Sequence, residues 1–123
     1  MVERIIDDDA ELAGAAAAAL RDSLSNLLLN AIQATPPGGS VRIETRRLDH
    51  QLLISVTDSG RGISAEIRQR IWEPFFTTKQ RGTGLGLAIV RKRVEEVGGT
   101  ARLARAQNGV GARFELRLPC QNR

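Results

Sequence analysis

The sequence predicts an α+β chain folded as a two-layer α/β sandwich, with a mixed, mostly antiparallel sheet and helices packed on one face. Three observations predict it. Two stretches place apolar residues at helical spacing, two pairs of strand-like runs (the first pair rich in β-branched residues) are each divided by a short turn, and 123 residues with 41% apolar content suit a single core. No linker, repeat or composition break divides the chain, so residues 1–123 are expected to form one domain.

The first helix is expected from about Ala10 to Ala34. Asp7, Asp8 and Asp9 supply capping and dipole-compatible groups ahead of it, and Leu12, Leu20, Leu24, Leu27, Leu28 and Ile32 mark its core side. The run Ala15 to Ala19 favours helix with little bulk and reads as a close-packed start. Thr35-Pro36-Pro37-Gly38-Gly39 ends the helix. Ser40–Leu48 and Gln51–Asp58 then form a hairpin around Asp49-His50. Ser64–Trp72, opened by a Ser cap, is expected as a short helix. The glycine-rich stretch Gly82–Gly86 leads into a second long helix over Leu87–Val97, closed by Gly98-Gly99. Thr100–Ala106 and Ala112–Leu118 make a last hairpin across Gln107-Asn108-Gly109.

Composition narrows the function class. No apolar run approaches the roughly 20 residues of a membrane span, and the N-terminus lacks a basic region followed by an apolar core. The lone Cys120 excludes an intrachain disulfide framework and a Cys-based zinc ribbon, so cytoplasmic residence is expected. A net charge of +4, from 16 Arg and two Lys against 14 acids, suits an anionic partner. Nucleic acid is a poor fit, because the arginines are dispersed and three Phe, one Trp and no Tyr offer few stacking platforms.

Three features carry chemistry. Ser23, Asn26, Asn30 and Gln33 form an uncharged polar stripe within a Leu- and Ala-rich helix, where a plain solvated face would carry Lys, Glu and Arg. Carboxamides suit a polar ligand, offering a carbonyl oxygen to a metal and an NH₂ group to phosphate, and the stripe fits this use and a wet face equally well. Asp58-Ser59-Gly60-Arg61-Gly62-Ile63 puts a carboxylate at a strand end beside two glycines; alone, it reads as a turn-forming Asp. Gly82-Thr83-Gly84-Leu85-Gly86-Leu87, preceded by Lys79, Gln80 and Arg81, would expose backbone N–H groups at a helix N-terminus. Its spacing is neither a dinucleotide fingerprint nor a Walker A loop.

Together and in this order, the features resemble a known family. Asn26 to Ala34 resembles the N box of sensor histidine kinases, Asp58 to Gly62 their G1 box, Glu73 to Thr78 their F box and Gly82 to Gly86 their G2 box. Gly109-Val110-Gly111-Ala112-Arg113-Phe114 through Pro119 is similar to their closing glycine motif. The resemblance runs from about Leu20 to Pro119. It identifies the chain as similar to the catalytic, ATP-binding domain of two-component histidine kinases, of the Bergerat fold, with wording closest to the nitrogen-sensing class.

The resemblance implies ATP and Mg²⁺ as ligands. Asn30 would be the Mg²⁺ ligand, Asn26 would lie near metal and phosphates, and Asp58 would accept the adenine amine. Gly60 and Gly62 would admit the base, Lys79 and Arg81 would neutralise phosphate from the lid, and Gly82, Gly84 and Gly86 would present N–H groups and hinge that lid. Gln33, Ile63, Thr83, Leu85 and Leu87 complete the implied nucleotide-binding set; Asn26, Asn30 and Lys79 are its expected catalytic members. Phe75 and Phe76 are expected to anchor the lid or meet a partner domain. Val2–Asp9 reads as a shortened form of the family's strand and Asp-rich turn. Ala112 stands where the family usually has a Thr hydroxyl near adenine.

Related ATPases carry a glutamate base one turn before the metal-binding Asn; here that position is Asn26, and an amide accepts no proton at neutral pH. Phosphoryl transfer to a protein with slow ATP hydrolysis is therefore expected. His50, the one histidine, falls in a hairpin turn rather than on a helix, so it reads as a solvated side chain. The acceptor histidine is expected on a separate dimerisation domain, in cis in a longer kinase or in trans, with a response regulator downstream. An anti-sigma-factor-like serine kinase and a non-catalytic nucleotide-binding module are the alternatives.

Overall fold

The computed structural model describes residues 2–5, 14–76, 86–104 and 111–120. Its elements are β1 (Val2–Ile5), α1 (Gly14–Ala34), β2 (Val41–Leu48), β3 (Gln51–Asp58), α2 (Gly86–Glu96), β4 (Thr100–Ala104) and β5 (Arg113–Pro119). They form a five-stranded sheet in the order β1-β2-β3-β5-β4, antiparallel except for the parallel β1–β2 pair. The predicted α+β sandwich is the observed architecture. β1 is the strand that the family resemblance, rather than residue periodicity, anticipated in Val2–Asp9.

Alternation explains which face is buried. Leu52, Ile54 and Val56 of β3 point the same way as Phe114, Leu116 and Leu118 of β5, and α1 and α2 lie across them. Leu27 and Ala31 of α1 and Val90 and Val94 of α2 complete this core. Trp72 stands edge-on to Phe114, with ring centroids 5.8 Å apart.

Two features of α1 differ from expectation. Its buried row is Ala16, Ala19, Ser23, Leu27 and Ala31, while Ile32 is 55% exposed. At about 100° per residue, Ile32 lies roughly 140° from Leu27 and falls outside the core stripe. Ser23 lies only about 40° from Leu27, so it belongs to the core row and not to the polar stripe. Ala16 and Ala19 supply the close packing expected of the alanine run. The predicted segment Ala10–Leu12, with the acidic cap before it, lies outside the described residues.

Ser23 Oγ is buried and has no hydrogen-bond partner. Such an orphan costs on the order of 1 kcal/mol, so Ser23→Ala is expected to raise the urea midpoint without changing the slope of the transition. A lowered midpoint would show that the hydroxyl stabilises the fold.

The turn after α1 is built as its residues require. Thr35 Oγ1 donates to the Ala31 carbonyl at 2.7 Å, and Gly39 N donates to the Pro36 carbonyl at 2.9 Å with Gly38 at φ +85°. Only glycine takes that φ comfortably, and Pro37 presets the residue before it. Ser64–Trp72, expected as a helix, is instead a chain of turns. Its bonds run mainly three residues back, from Ile67 to Ser64, Arg70 to Ile67 and Glu73 to Arg70. A single helical turn has little intrinsic stability, and Pro74 disfavours helical backbone at Glu73. The segment is held by its side chains: Ile71 and Trp72 enter the core, and Arg68 Nη2 donates to the Leu103 carbonyl of β4 at 3.1 Å. The second helix begins at Gly86, one residue earlier than expected, and the Asn108-Gly109 turn lies outside the described residues. Among the described residues no helix is long and apolar enough to cross a membrane.

Candidate functional site

The candidate site lies where the end of β3, the end of α1 and the start of β5 meet. Asp58, last residue of β3, is 3% exposed although it carries a carboxylate. Its Oδ1 accepts hydrogen bonds from Gly60 N at 2.8 Å and Ala112 N at 3.3 Å, while Asp58 N donates to the Ala112 carbonyl at 2.9 Å. Both bonds end on the same oxygen. No described residue donates to Oδ2. A buried carboxylate normally has its acceptor capacity filled, so Oδ2 is the atom of this group with acceptor capacity to spare.

Glycines make this arrangement possible. A Cβ on Gly60 would strike the Ala34 carbonyl, which ties the Asp58 loop under the end of α1. Gly111 has φ +75°, and a Cβ there would strike the Asp58 carbonyl. Gly62 has φ +77° and lies against the Gly111 carbonyl. Ser59 plays no part in the opening; its Oγ accepts from Ser40 N at 2.8 Å and its N donates to the Ser40 carbonyl.

One helical turn before Ala34 is Asn30, half-buried like Asn26, while Gln33 is exposed. Asn26 Nδ2 donates to the Asp22 carbonyl at 3.0 Å, which turns its Oδ1 toward α2, where it lies 3.4 Å from the position of a Cβ on Gly86. The predicted stripe thus narrows to Asn26, Asn30 and Gln33, with Ser23 in the core. Asn26 adjoins the start of α2, and Leu87 packs half-buried in the same helix. Ile63 packs on the core beside the glycine pair. Lys79, Arg81, Gly82, Thr83, Gly84 and Leu85 lie outside the described residues.

The residues present fit a purine nucleotide at one end and a hydrated cation at the other. Among the described residues no three His, Cys, Asp or Glu side chains converge to hold a metal. A Mg²⁺ at Asn30 would thus take one amide oxygen and complete its shell with phosphate and water, a donor set that suits this hard cation.

Phe76 packs against the core beneath the Arg70 guanidinium, 4.5 Å from its ring centroid. Phe75 is 75% exposed, at φ +67°. Beside it Trp72, Pro74, Ala88 and Ile89 line an open groove. His50 is exposed in the β2–β3 turn, where its carbonyl accepts from Cys120 N.

Two site features were not legible beforehand. One is the wedge role of Gly111 against the Asp58 carbonyl, since its place in the closing glycine motif names no contact. The other is the doubled use of the Ala112 backbone, which carries no side-chain signature.

Residues 15–122 match the family described as "Histidine kinase-, DNA gyrase B-, and HSP90-like ATPase". The sensor histidine kinase ZraS of Escherichia coli O157:H7 is 49% identical over 100 residues, which are 81% of this chain and 22% of that protein. The nitrogen regulation protein NtrY of Azorhizobium caulinodans is 42% identical over 106 residues, 80% of this chain and 14% of that one. The chain therefore spans about a fifth or less of these relatives' length. Among solved structures, the catalytic domain of histidine kinase ThkA superposes with a TM-score of 0.81 at 35% identity, covering 96% of this chain and 76% of that one. Full-length ShkA in complex with AMPPNP superposes with a TM-score of 0.77 at 30% identity, covering 99% and 26%.

Proposed function

Because the chain belongs to the histidine kinase-, DNA gyrase B- and HSP90-like ATPase family, and within it to the histidine kinase catalytic domains, we propose that it binds Mg-ATP and donates the γ-phosphate to a histidine on a separate dimerisation domain. The observation that carries this reading is the division of labour on Asp58. Two backbone amides fix Oδ1, and Oδ2, which receives no donor from a described residue, would accept an amine. Adenine offers such an amine, whereas guanine offers a carbonyl at the same position. Gly60 and Gly62 let the loop after Asp58 pack directly on the Ala34 and Gly111 carbonyls, which holds the strand end against which a flat base would lie.

At the other end, Asn30 would hold Mg²⁺, which when bound neutralises phosphate charge. Asn26 would orient the phosphates, Lys79 and Arg81 would compensate their charge, and Gly82, Gly84 and Gly86 would let the backbone approach them. Gln33, Thr83, Leu85 and Leu87 border these groups, and Ile63 supports the base end. Water is poorly activated here. Asn26 carries an amide already committed to the Asp22 carbonyl, and no Asp or Glu occurs between Ser23 and Ile43. The phosphoryl group is thus kept for a protein nucleophile. His50, in an exposed hairpin turn, is not that nucleophile. The acceptor sits on a helical dimerisation domain, in cis or in trans, that passes the phosphate to a response regulator, and exposed Phe75 with its neighbouring groove suits contact with that domain. Residues 1–123 act as one ATP-binding domain, placed in the cytoplasm.

The test is transfer from Mg-ATP labelled at the γ-phosphate to a separately purified dimerisation domain of a related kinase. The expected product is acid-labile, alkali-stable phosphate on histidine. Asn30→Ala is expected to slow transfer by about 100-fold or more, in proportion to losing a group that acts mainly in the transition state. Acid-stable phosphate, or rapid hydrolysis without acceptor, would refute the proposal.

A further inference from the structure

The face of the sheet turned away from the helices is ordered in rows across the strands. Arg42, Thr57 and Arg113 form one row; Glu44, Ser55 and Glu115 the next, extended by Arg102; and Arg46, Leu53 and Arg117 the third. Five arginines and two glutamates on this face of β2 to β5 make it the basic side of a chain whose net charge is +4.

The first two rows satisfy each other. Arg102 Nε donates to Glu115 Oε1 at 2.8 Å and Arg113 Nε to Glu115 Oε2 at 3.2 Å, while Arg113 Nη2 donates to Ser55 Oγ at 3.0 Å. Arg42 and Arg113 lie 3.5 and 3.9 Å from Glu44. The third row differs. Neither Arg46 nor Arg117 makes an ion pair or side-chain hydrogen bond with a described residue, and Leu53 sits half-buried between them.

We propose that the Arg46–Leu53–Arg117 row is a docking surface for an acidic helical segment of a partner protein. Two strand spacings separate the arginines, about 9.6 Å at the backbone. Seven residues of α-helix rise about 10.5 Å, so a helix lying across the strands can set two carboxylates on the two guanidiniums. An apolar residue three or four positions into that interval then meets Leu53. The glutamates of the neighbouring row are already neutralised by Arg42, Arg102 and Arg113, so the cations of this face without an ion-pair partner among the described residues are confined to the third row. A narrow acidic helix matches that single row, whereas a duplex or an anionic bilayer spreads its charge over rows that are already paired. The inference is independent of the nucleotide reading, since no residue of the row belongs to that site.

The probe is an alanine-rich helical peptide with two glutamates seven residues apart and leucine between them, titrated into the isotope-labelled chain. Amide shifts are expected to centre on Arg46, Leu53 and Arg117. Affinity is expected to fall about tenfold in Arg46→Gln or Arg117→Gln, and severalfold between about 50 and about 300 mM salt. Arg46→Glu with Arg117→Glu is expected to exchange preference to a lysine version of the peptide; the single Gln variants decide the matter if that chain does not fold. Absence of shifts at millimolar peptide, or shifts centred elsewhere, overturns the proposal. So does tighter binding of phosphatidylglycerol vesicles or duplex DNA through the same two arginines. Each readout is taken without nucleotide, so failure of the ATP reading leaves it standing and its own failure leaves the ATP reading intact.

Discussion

Asp58→Asn is expected to weaken Mg-ATP binding by about 100-fold, measured by calorimetry, while the thermal midpoint stays nearly unchanged. The asymmetry follows from the two oxygens. An asparagine that keeps its carbonyl toward Gly60 N and Ala112 N preserves both internal bonds, at 2.8 and 3.3 Å in the parent. Its NH₂ then replaces Oδ2, and a donor faces the adenine amine. Losing a charge-assisted bond and setting two donors together is worth on the order of 3 kcal/mol, which corresponds to that factor. The same change should narrow the preference for ATP over GTP, since an NH₂ group can donate to the guanine carbonyl. Unchanged ATP affinity would remove Asp58 from base recognition. A collapsed thermal midpoint would mark the carboxylate as structural.

Phe114→Ala is expected to cost about 3 to 5 kcal/mol of stability, read as a lowered urea midpoint and a fall in thermal midpoint on the order of 10 °C. Phe114 is 2% exposed and lies between Val56 of β3 and Leu103 of β4 in the register, with the Trp72 ring edge-on above it. Trp72, the large side chain against it, is itself held from outside by the Arg91 guanidinium, 5.2 Å from its ring, which opposes its moving into the vacated volume. Domains of this size are stable by roughly 5 to 15 kcal/mol, so the variant should sit near the edge of folding at 37 °C. A loss below about 1 kcal/mol would mean that the core relaxes into the gap.

How much of this was legible in the sequence depends on what each residue's signal consists of. Gln51–Asp58 was readable to the residue, because β-branched alternation is a property of the chain itself and the strand is central. Asn30 and Asp58 were legible as chemistry only once three weak patterns were read in order, and their resemblance to one family carried the roles. Ser23 was misassigned because three- and four-residue spacing does not by itself say on which side of a helix the core begins. The helix expected over Ser64–Trp72 failed for a related reason: its apolar residues are fixed by Phe114 and the sheet, contacts far away in the chain. The pinning of Asp58 by Ala112 could not be read at all, since backbone amides look alike in every sequence.

Arg68 has a consequence beyond holding its own segment. Its guanidinium occupies the Leu103 carbonyl of β4, and β4 is the outermost strand on its side of the sheet. An open strand border invites another chain to zip onto it, the first step toward fibrils, and a cation bonded there blocks that growth both sterically and by repulsion. The arginine that fastens a run of turns also keeps neighbouring molecules from continuing the sheet.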